Sequence, residues 1–214
     1  MLSVSSPPTA PPPPLALLSR QAPVSPLRLN DVHSPERDAV ERFIAAVFRR
    51  CYAADVARFA PRLVSLHDED GECIAAAGYR PAQMGPLFLE RYLSAPVHTL
   101  LAATHGRPPP REQIVEVGHL AATRAGAGRR LIGLLGPHLA AQGFDWVVST
   151  LTEELRRMFA RLGVNPLALG VADPALLGAQ AAQWGSYYDH RPRVLAGRLG
   201  AAVPLLARRA ATER

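Results

Sequence analysis

Cysteine, aromatic residues and long apolar runs are all scarce in this chain, and each shortage removes a class of protein. Only Cys51 and Cys73 occur. The first falls in a helical pattern and the second in a strand pattern, so no disulfide framework is expected and a reducing compartment fits. Neither has a polar neighbour that would activate a thiol, and both read as buried structural thiols. No stretch of about 18 apolar residues is present, which argues against a spanning helix. The opening segment MLSVSSPPTAPPPPLALLSR has no basic leader and is broken by prolines where a signal peptide needs an apolar helix, so the chain reads as cytoplasmic. Aromatics make up 6% and do not interleave with the arginines, which leaves no stacking surface for nucleic acid. No cluster of His, Cys or carboxylates has metal-ligand spacing, so no metal is expected.

What is present is enough apolar material for one core. The chain has 214 residues, 48% of them hydrophobic and 20% charged, which supports one domain rather than two. The formal net charge of +6 is compatible with an anionic partner. A phosphorylated cofactor, an acidic carrier protein, a membrane surface and nucleic acid all qualify, and charge alone does not choose among them.

Residues 1–26 are rich in Pro, Ser and Ala, with Pro11 to Pro14 in a row, and read as a disordered extended tail outside the core. Residues 27–200 read as the folded domain and 201–214 as a basic C-terminal tail. Ser34 can cap a helix with Pro35 at its first position, and Val40, Phe43, Ile44, Val47 and Phe48 then recur at helical spacing. Arg62 to His67 and Glu72 to Arg80 read as strands joined by the turn Asp68-Glu69-Asp70-Gly71, hence an antiparallel hairpin. Leu87 to Leu93 reads as a short helix and Ala95 to Pro110 as a loop. Then follow a strand (Ile114 to Ala121), a helix (Gly128 to Gln142), a strand (Phe144 to Thr150), a helix (Glu153 to Leu162) and a further strand (Leu167 to Val171). The strand–helix–strand order implies a parallel pair with a right-handed crossover. The expected fold is α/β with a mixed sheet, antiparallel early and parallel later.

The stretch that carries chemistry is Ile114-Val115-Glu116-Val117-Gly118-His119-Leu120-Ala121, followed by Ala122-Thr123-Arg124-Ala125-Gly126-Ala127-Gly128-Arg129-Arg130. A strand runs into a small-residue loop that opens a helix. Glycines let backbone N–H groups approach an anion, and the helix N-terminus adds its partial positive charge. Arg124, Arg129 and Arg130 surround that point with cations suited to pyrophosphate or phosphopantetheine. No Gly-Lys-Ser/Thr follows, so this is not a nucleotide P-loop, and the preceding hairpin makes a dinucleotide fold a poor match. Read structurally, the same loop is a tight turn with a solvated helix start.

Four segments resemble the thermostable hemolysin family of bacterial proteins: Ala75-Ala76-Ala77-Gly78-Tyr79-Arg80, Leu87-Phe88-Leu89-Glu90-Arg91-Tyr92-Leu93, Glu116 to Ala121, and Trp184-Gly185-Ser186-Tyr187-Tyr188-Asp189. The family's usual asparagine is His119 here. The Gly126-x-Gly128 loop and the segment Phe159 to Val164 are similar to the GNAT N-acyltransferase superfamily. Gly78 to Pro81 and Glu116 to Ala121 are similar to acyl-homoserine lactone synthases, which carry arginine where His119 stands.

These resemblances imply a GNAT-like acyltransferase fold, with a thioester donor wedged between two splayed parallel strands and no permanently bound cofactor. Acyl-CoA or acyl-phosphopantetheine would be the co-substrate, an acyl carrier protein a candidate partner, and a small-molecule amine or amino acid the acceptor. Leu120 and Ala122 would offer backbone groups to the pantetheine arm, and the amides of Gly126, Ala127 and Gly128 would hold phosphate. Glu116 is a candidate base or the ion-pair partner of Arg80. His119 is the alternative base, although residues three apart in a strand face opposite sides unless a bulge intervenes. Arg80, Glu90, Trp184, Tyr187, Tyr188 and Asp189 are the candidate acceptor-binding residues. Arg80 and Glu90 serve equally well as an internal salt bridge, and the two tyrosines as packing around Trp184. Where many GNAT enzymes have a tyrosine that reprotonates the leaving thiolate, this chain has Phe159, so Tyr187, Tyr188 or solvent would serve. Arg156, Arg157 and Arg161 form a basic helical face, either solvated or able to receive an acidic carrier. The rival to all of this is a membrane-active protein without catalysis.

Overall fold

A computed structural model describes residues 27–212; the Pro-rich segment expected over residues 1–26 lies outside the described residues. Seven strands form one sheet: β1 (Arg28–Asn30), β2 (Arg62–His67), β3 (Cys73–Pro81), β4 (Ile114–Ala122), β5 (Trp146–Leu151), β6 (Leu167–Val171) and β7 (Arg193–Arg198), in the order β1-β2-β3-β4-β5-β7-β6. Every pairing is antiparallel except β4–β5. The helices are α1 (Arg37–Tyr52), α2 (Val97–His105), α3 (Ala127–Ala141), α4 (Glu153–Arg161) and α5 (Leu199–Thr212). A 3₁₀ turn at Phe88–Tyr92 and a run of 3₁₀ turns over Pro174–His190, broken at Gly178 and Gly185, complete the elements used below.

Strand alternation assigns the two faces of the sheet. Val64, Leu66, Ala75 and Ala77 turn towards Leu131, Leu135 and Leu139 of α3. Leu63 and Ala76, their neighbours in sequence, turn the other way onto Val40, Ile44, Val47 and Phe48 of α1. Burial of each such aliphatic side chain contributes about 1.5–3 kcal/mol. The turn between β2 and β3 closes as the sequence predicts, with Gly71 at φ 83° and Asp68 Oδ1 accepting from the N–H groups of Asp70 and Glu72.

Several expectations are corrected. Ser34 does not cap α1: its hydroxyl bonds Asp31 instead, and Glu36 stands at the helix start without a side-chain cap. The loop expected from Ala95 to Pro110 contains α2, whose Val97 and Leu101 are fully buried one turn apart. The boundary expected at residue 200 falls inside α5, which is no loose tail: Leu206 packs with Ile132, Leu162 and Val164. Cys51 is exposed and Cys73 half-buried; desolvation pushes the Cys73 thiol up to about 11. Strand β7, unforeseen, is inserted between β5 and β6.

The feature that positions the site is the incomplete pairing of β4 with β5. They pair only from Ile114–Trp146 to Glu116–Val148. Beyond that, β4 continues on β3 to the pair Ala75–Ala122, and β5 continues on β7 to Leu151–Arg193. Each strand keeps its outer neighbour and loses its inner one. The parallel strands therefore separate towards their C-terminal ends, leaving backbone groups on both inner edges without sheet partners.

Candidate active site

A β-bulge drives β4 out of register. Gly78 pairs with Gly118 and Ala76 with Ala121, so His119 and Leu120 together oppose Ala77. His119 adopts φ 53°, a left-handed conformation that is uncommon outside glycine and that histidine tolerates better than most residues. The additional residue resets the alternation, so Glu116 and His119 face the same side, that of α1. Gly78 makes room for the imidazole: a Cβ there would lie 2.8 Å from Ala60 Cβ and 3.2 Å from His119 Nδ1.

The two candidate bases sit in different electrostatic surroundings. Glu116 accepts hydrogen bonds from the backbone N–H groups of Phe88 (2.9 Å) and Leu89 (3.0 Å). Desolvation nevertheless raises its carboxyl above the usual range, against the opposing pull of those N–H groups and of Arg80. The His119 ring packs against Phe48 and Phe59, with Nδ1 buried and unpartnered. Burial drives its pKa down to about 4. Burial thus disfavours the charged form of both groups and leaves the imidazole uncharged at neutral pH.

Arg80 stands directly across the β3–β4 pair from Glu116. Its Nη2 donates to the Met84 carbonyl at 3.4 Å and its Nε is buried without a partner. Glu90, which the sequence groups with the acceptor residues, is committed elsewhere. It accepts from the N–H groups of Leu87 (2.8 Å) and Val97 (2.9 Å) and from Arg111 Nη1 (2.7 Å). Burial raises its pKa, but Arg111 and the two N–H groups outweigh that and hold the carboxyl below its usual range. Its internal salt bridge exists, with Arg111 rather than Arg80.

The remaining acceptor-side candidates divide. Trp184, Tyr187 and Tyr188 join an aromatic cluster with Phe48, Tyr52 and Phe88. Tyr187 donates to the Thr150 carbonyl (3.3 Å), and Tyr188 shares a 2.5 Å hydrogen bond with Tyr92. Asp189 is exposed and does not line the cavity described below. The cluster is locked to the end of α1 at Gly185, where a Cβ would lie 2.0 Å from the Tyr52 carbonyl oxygen. Tyr52, Phe48 and Thr150 carry no local motif, and only their long-range packing reveals them.

On the donor side, Gly126 takes φ 81° at the N-terminus of α3, which has no side-chain cap. Arg124, Arg129 and Arg130 are exposed around it. Arg124 pairs with Asp68 at 2.5 Å, tying this loop to the β2–β3 turn. On α4, Arg156 donates to the Arg191 carbonyl and Arg157 pairs with Glu153, while Arg161 is exposed. Between the separated halves of β4 and β5 lies a cavity of about 140 Å³. Val117, His119 and Leu120 line it from β4, Thr150 and Leu151 from β5, Leu135 and Gly136 from α3, and Phe159 and Leu206 from α4 and α5. Phe48 and Tyr52 line it from α1, and Tyr187 from the 174–190 segment.

The thermostable hemolysin family profile matches residues 30–203, and the chain belongs to that family. No curated protein sequence matches it. The fold is that of GNAT-like acyltransferases. The CoA-dependent acyl-homoserine lactone synthase BjaI, solved with SAM and isopentyl-CoA, superposes with a TM-score of 0.59 at 13% identity, over 86% of this chain and 89% of its own. The AHL synthase LasI gives 0.57 at 14%, over 84% and 92%. FeeM, an N-acyl amino acid synthase from uncultured soil microbes, gives 0.51 at 16%, over 81% and 95%.

Proposed function

We propose that this member of the thermostable hemolysin family is an acyltransferase that moves an acyl chain from a thioester to the amine of a small molecule or amino acid. The observation that carries the reading is the coincidence of the opened β4–β5 edges with an apolar cavity at the same place. The free edge of β4 from Val117 to Ala122 suits an extended pantetheine arm, added as a strand would be, with Leu120 and Ala122 supplying backbone groups. The amides of Gly126, Ala127 and Gly128 at the start of α3 suit the phosphates that end that arm. Arg129 and Arg130 add charge, and Arg124 is held beside them by Asp68. CoA and an acyl carrier protein both present this arm.

The cavity walls are mostly Leu, Ile, Val and Phe side chains from α1, α3, α4, α5 and the strands. A chain of several carbons would remove that surface from water, whereas an acetyl group would leave most of it untouched. The donor is therefore a medium or long acyl thioester. Glu116 takes a proton from the amine, whose nitrogen attacks the thioester carbonyl. Backbone N–H groups at the bulge stabilise the oxyanion. Arg80 lies across the strand pair from Glu116 on the acceptor side, a cation suited to a carboxylate of the incoming molecule.

The test is thiol release with product mass, run on a series of acyl-CoAs and acyl carrier proteins of increasing chain length. The acceptors are the twenty amino acids, their methyl esters and polyamines. Turnover should rise from acetyl to medium chains. Gly128→Val, whose Cβ has only an ordinary 3.5 Å contact with Ala122, should fold while donor KM rises about tenfold or more. Thiol release absent across the whole panel would sink the proposal. Erythrocyte lysis by the purified protein with no donor present would replace it with a membrane-active reading, although among the described residues no helix is long and apolar enough to cross a membrane.

A further inference from the structure

Three successive N–H groups, those of Leu87, Phe88 and Leu89, end on two carboxylates. Leu87 donates to Glu90 Oε2, and Phe88 and Leu89 donate to the two oxygens of Glu116. Two acids on neighbouring amides of one turn repel each other when both ionise, and such a pair tends to hold one proton between them. A base that shares a proton in this way is not free to take another. The arrangement therefore needs one of the two neutralised, and it is Glu90 that carries a bonded cation. Arg111 supplies it from the 3₁₀ turn Arg111–Gln113, which leads into β4. Its Nη1 lies 2.7 Å from Glu90 Oε1 and its Nη2 3.3 Å from Oε2. The same guanidinium donates to the carbonyls of Ala82 (2.9 Å) and Gly85 (2.8 Å), so one side chain gathers the 82–90 arc whose N–H groups reach Glu116. The side chains of Arg111 and Glu90 are only 24% and 12% exposed. Taking two charges out of water costs about what their attraction returns, so stability is a poor reason for the pair.

We propose that Arg111 is a positioning residue for the base: it draws Glu90 into an ion pair and leaves Glu116 as the carboxylate of the turn that takes up the proton. The inference rests on the reading of Glu116 as base. The other groups around Glu116 do not do this. Arg80 stands across the β3–β4 pair and acts on Glu116 directly, not on Glu90. His98 of α2 accepts from Arg111 Nη1 at 3.3 Å and bonds neither acid. His119, on the same face of β4, is uncharged. Against the cost of burial, Arg111 and the N–H groups of Val97 and Leu87 hold Glu90 below the usual carboxylate range, whereas burial leaves Glu116 above it. Two acids of one turn are thereby separated in titration, one fixed as an anion and one able to cycle.

The experiment follows Glu116 by carbon NMR of the glutamate carboxyls and by kcat/KM against pH, with the best donor and amine of the panel above. Glu116→Gln identifies its resonance and its kinetic limb. Glu90→Gln keeps the shape of the turn and leaves Arg111 uncompensated, so the Glu116 midpoint should fall by about one pH unit. Arg111→Gln leaves Glu90 uncompensated, so the midpoint should rise by about one pH unit and spread into two steps. The double variant Glu90→Gln with Arg111→Gln restores neutrality and should return the midpoint to its wild-type value. Opposite shifts that cancel are the mark of charge. A merely structural pair would lower Tm and rate in every variant and leave the midpoint in place, and that result would overturn the proposal. Shifts of the same sign in both single variants would overturn it as well. Should Arg111→Gln fail to fold, Glu90→Gln and the double variant decide between them. A midpoint that does not fall in the first, or a fall that the second does not reverse, overturns the proposal. A kinetic limb that survives Glu116→Gln would instead remove the base reading, and the proposal with it, whatever the NMR midpoints do.

Discussion

Glu116 and His119 stand on the same face of the sheet although three positions separate them in one strand. The bulge at His119, with its φ of 53°, supplies the additional residue that brings them together. Their titrations are driven apart by the same cause acting on opposite charge types. Desolvation disfavours the charged form of each, so the carboxyl rises and the imidazole falls.

Glu116→Gln tests the base. Proton acceptance is lost, and the chemical step should slow by about a hundredfold or more with donor affinity little changed. In wild type, kcat/KM should rise with pH through a value above the usual carboxylate range, and this limb should vanish in the variant. The amide also turns one N–H donor towards Phe88 or Leu89, so destabilisation of about 1–3 kcal/mol is expected and rates are compared well below the unfolding midpoint. Near-full turnover in Glu116→Gln with loss in His119→Asn would transfer the role to His119.

Gly136→Val tests the acyl cavity. A Cβ at Gly136 would meet Val203 and Leu206 at 3.5 and 3.6 Å, ordinary contacts, and the added methyls would occupy space at the α3–α5 wall. The optimum in chain length should move to shorter donors, with the longest accepted chain losing about 10–200-fold in kcat/KM. An unchanged chain-length profile would place the acyl tail elsewhere.

Gly185→Ala tests the lock between α1 and the aromatic segment. Its φ of 52° and ψ of −129° favour glycine, and the new Cβ would lie 2.0 Å from the Tyr52 carbonyl oxygen. A backbone atom cannot yield as a flexible side chain would, so a loss of about 3 kcal/mol or more is expected. In a chain of this size that lowers Tm by about 6–12 °C. A Tm within experimental error of wild type would show that the segment is free to move away from α1.

His119→Asn tests a pH dependence whose sign is set by a depressed pKa. The ring titrates near 6.5 in the unfolded chain and about 4 in the fold, so the unfolded state binds the proton across that window. Its contribution is present above about pH 6.5 and is lost as pH falls towards 4, by up to about 3 kcal/mol. Asparagine tolerates the positive φ and cannot take the proton. The Tm difference between pH 7.5 and pH 4.5 should therefore shrink in the variant by several degrees. If the difference is unchanged, other groups drive the acid sensitivity.

The local physics of this chain was legible from its sequence. Apolar periodicity located α1, α3 and β4 because each pattern repeats within one element. Gly71 and the Asp68 turn announced the hairpin, and the small-residue run into Gly126 and Gly128 announced the loop that opens α3, because backbone freedom belongs to the residue itself. The strand–helix–strand order was sufficient to make β4 and β5 parallel. Tertiary structure decided everything that depends on distant partners. Glu90 reads like an acceptor ligand until Arg111, 21 positions away, takes its carboxylate. Arg124 reads like a free phosphate binder until Asp68 closes on it. β7 is short and its neighbours β5 and β6 precede it, so no periodicity tells that it inserts between them. Tyr187 and Thr150 meet only where β5 leaves β4, since a hydrogen bond between distant segments exists only once the chain has folded.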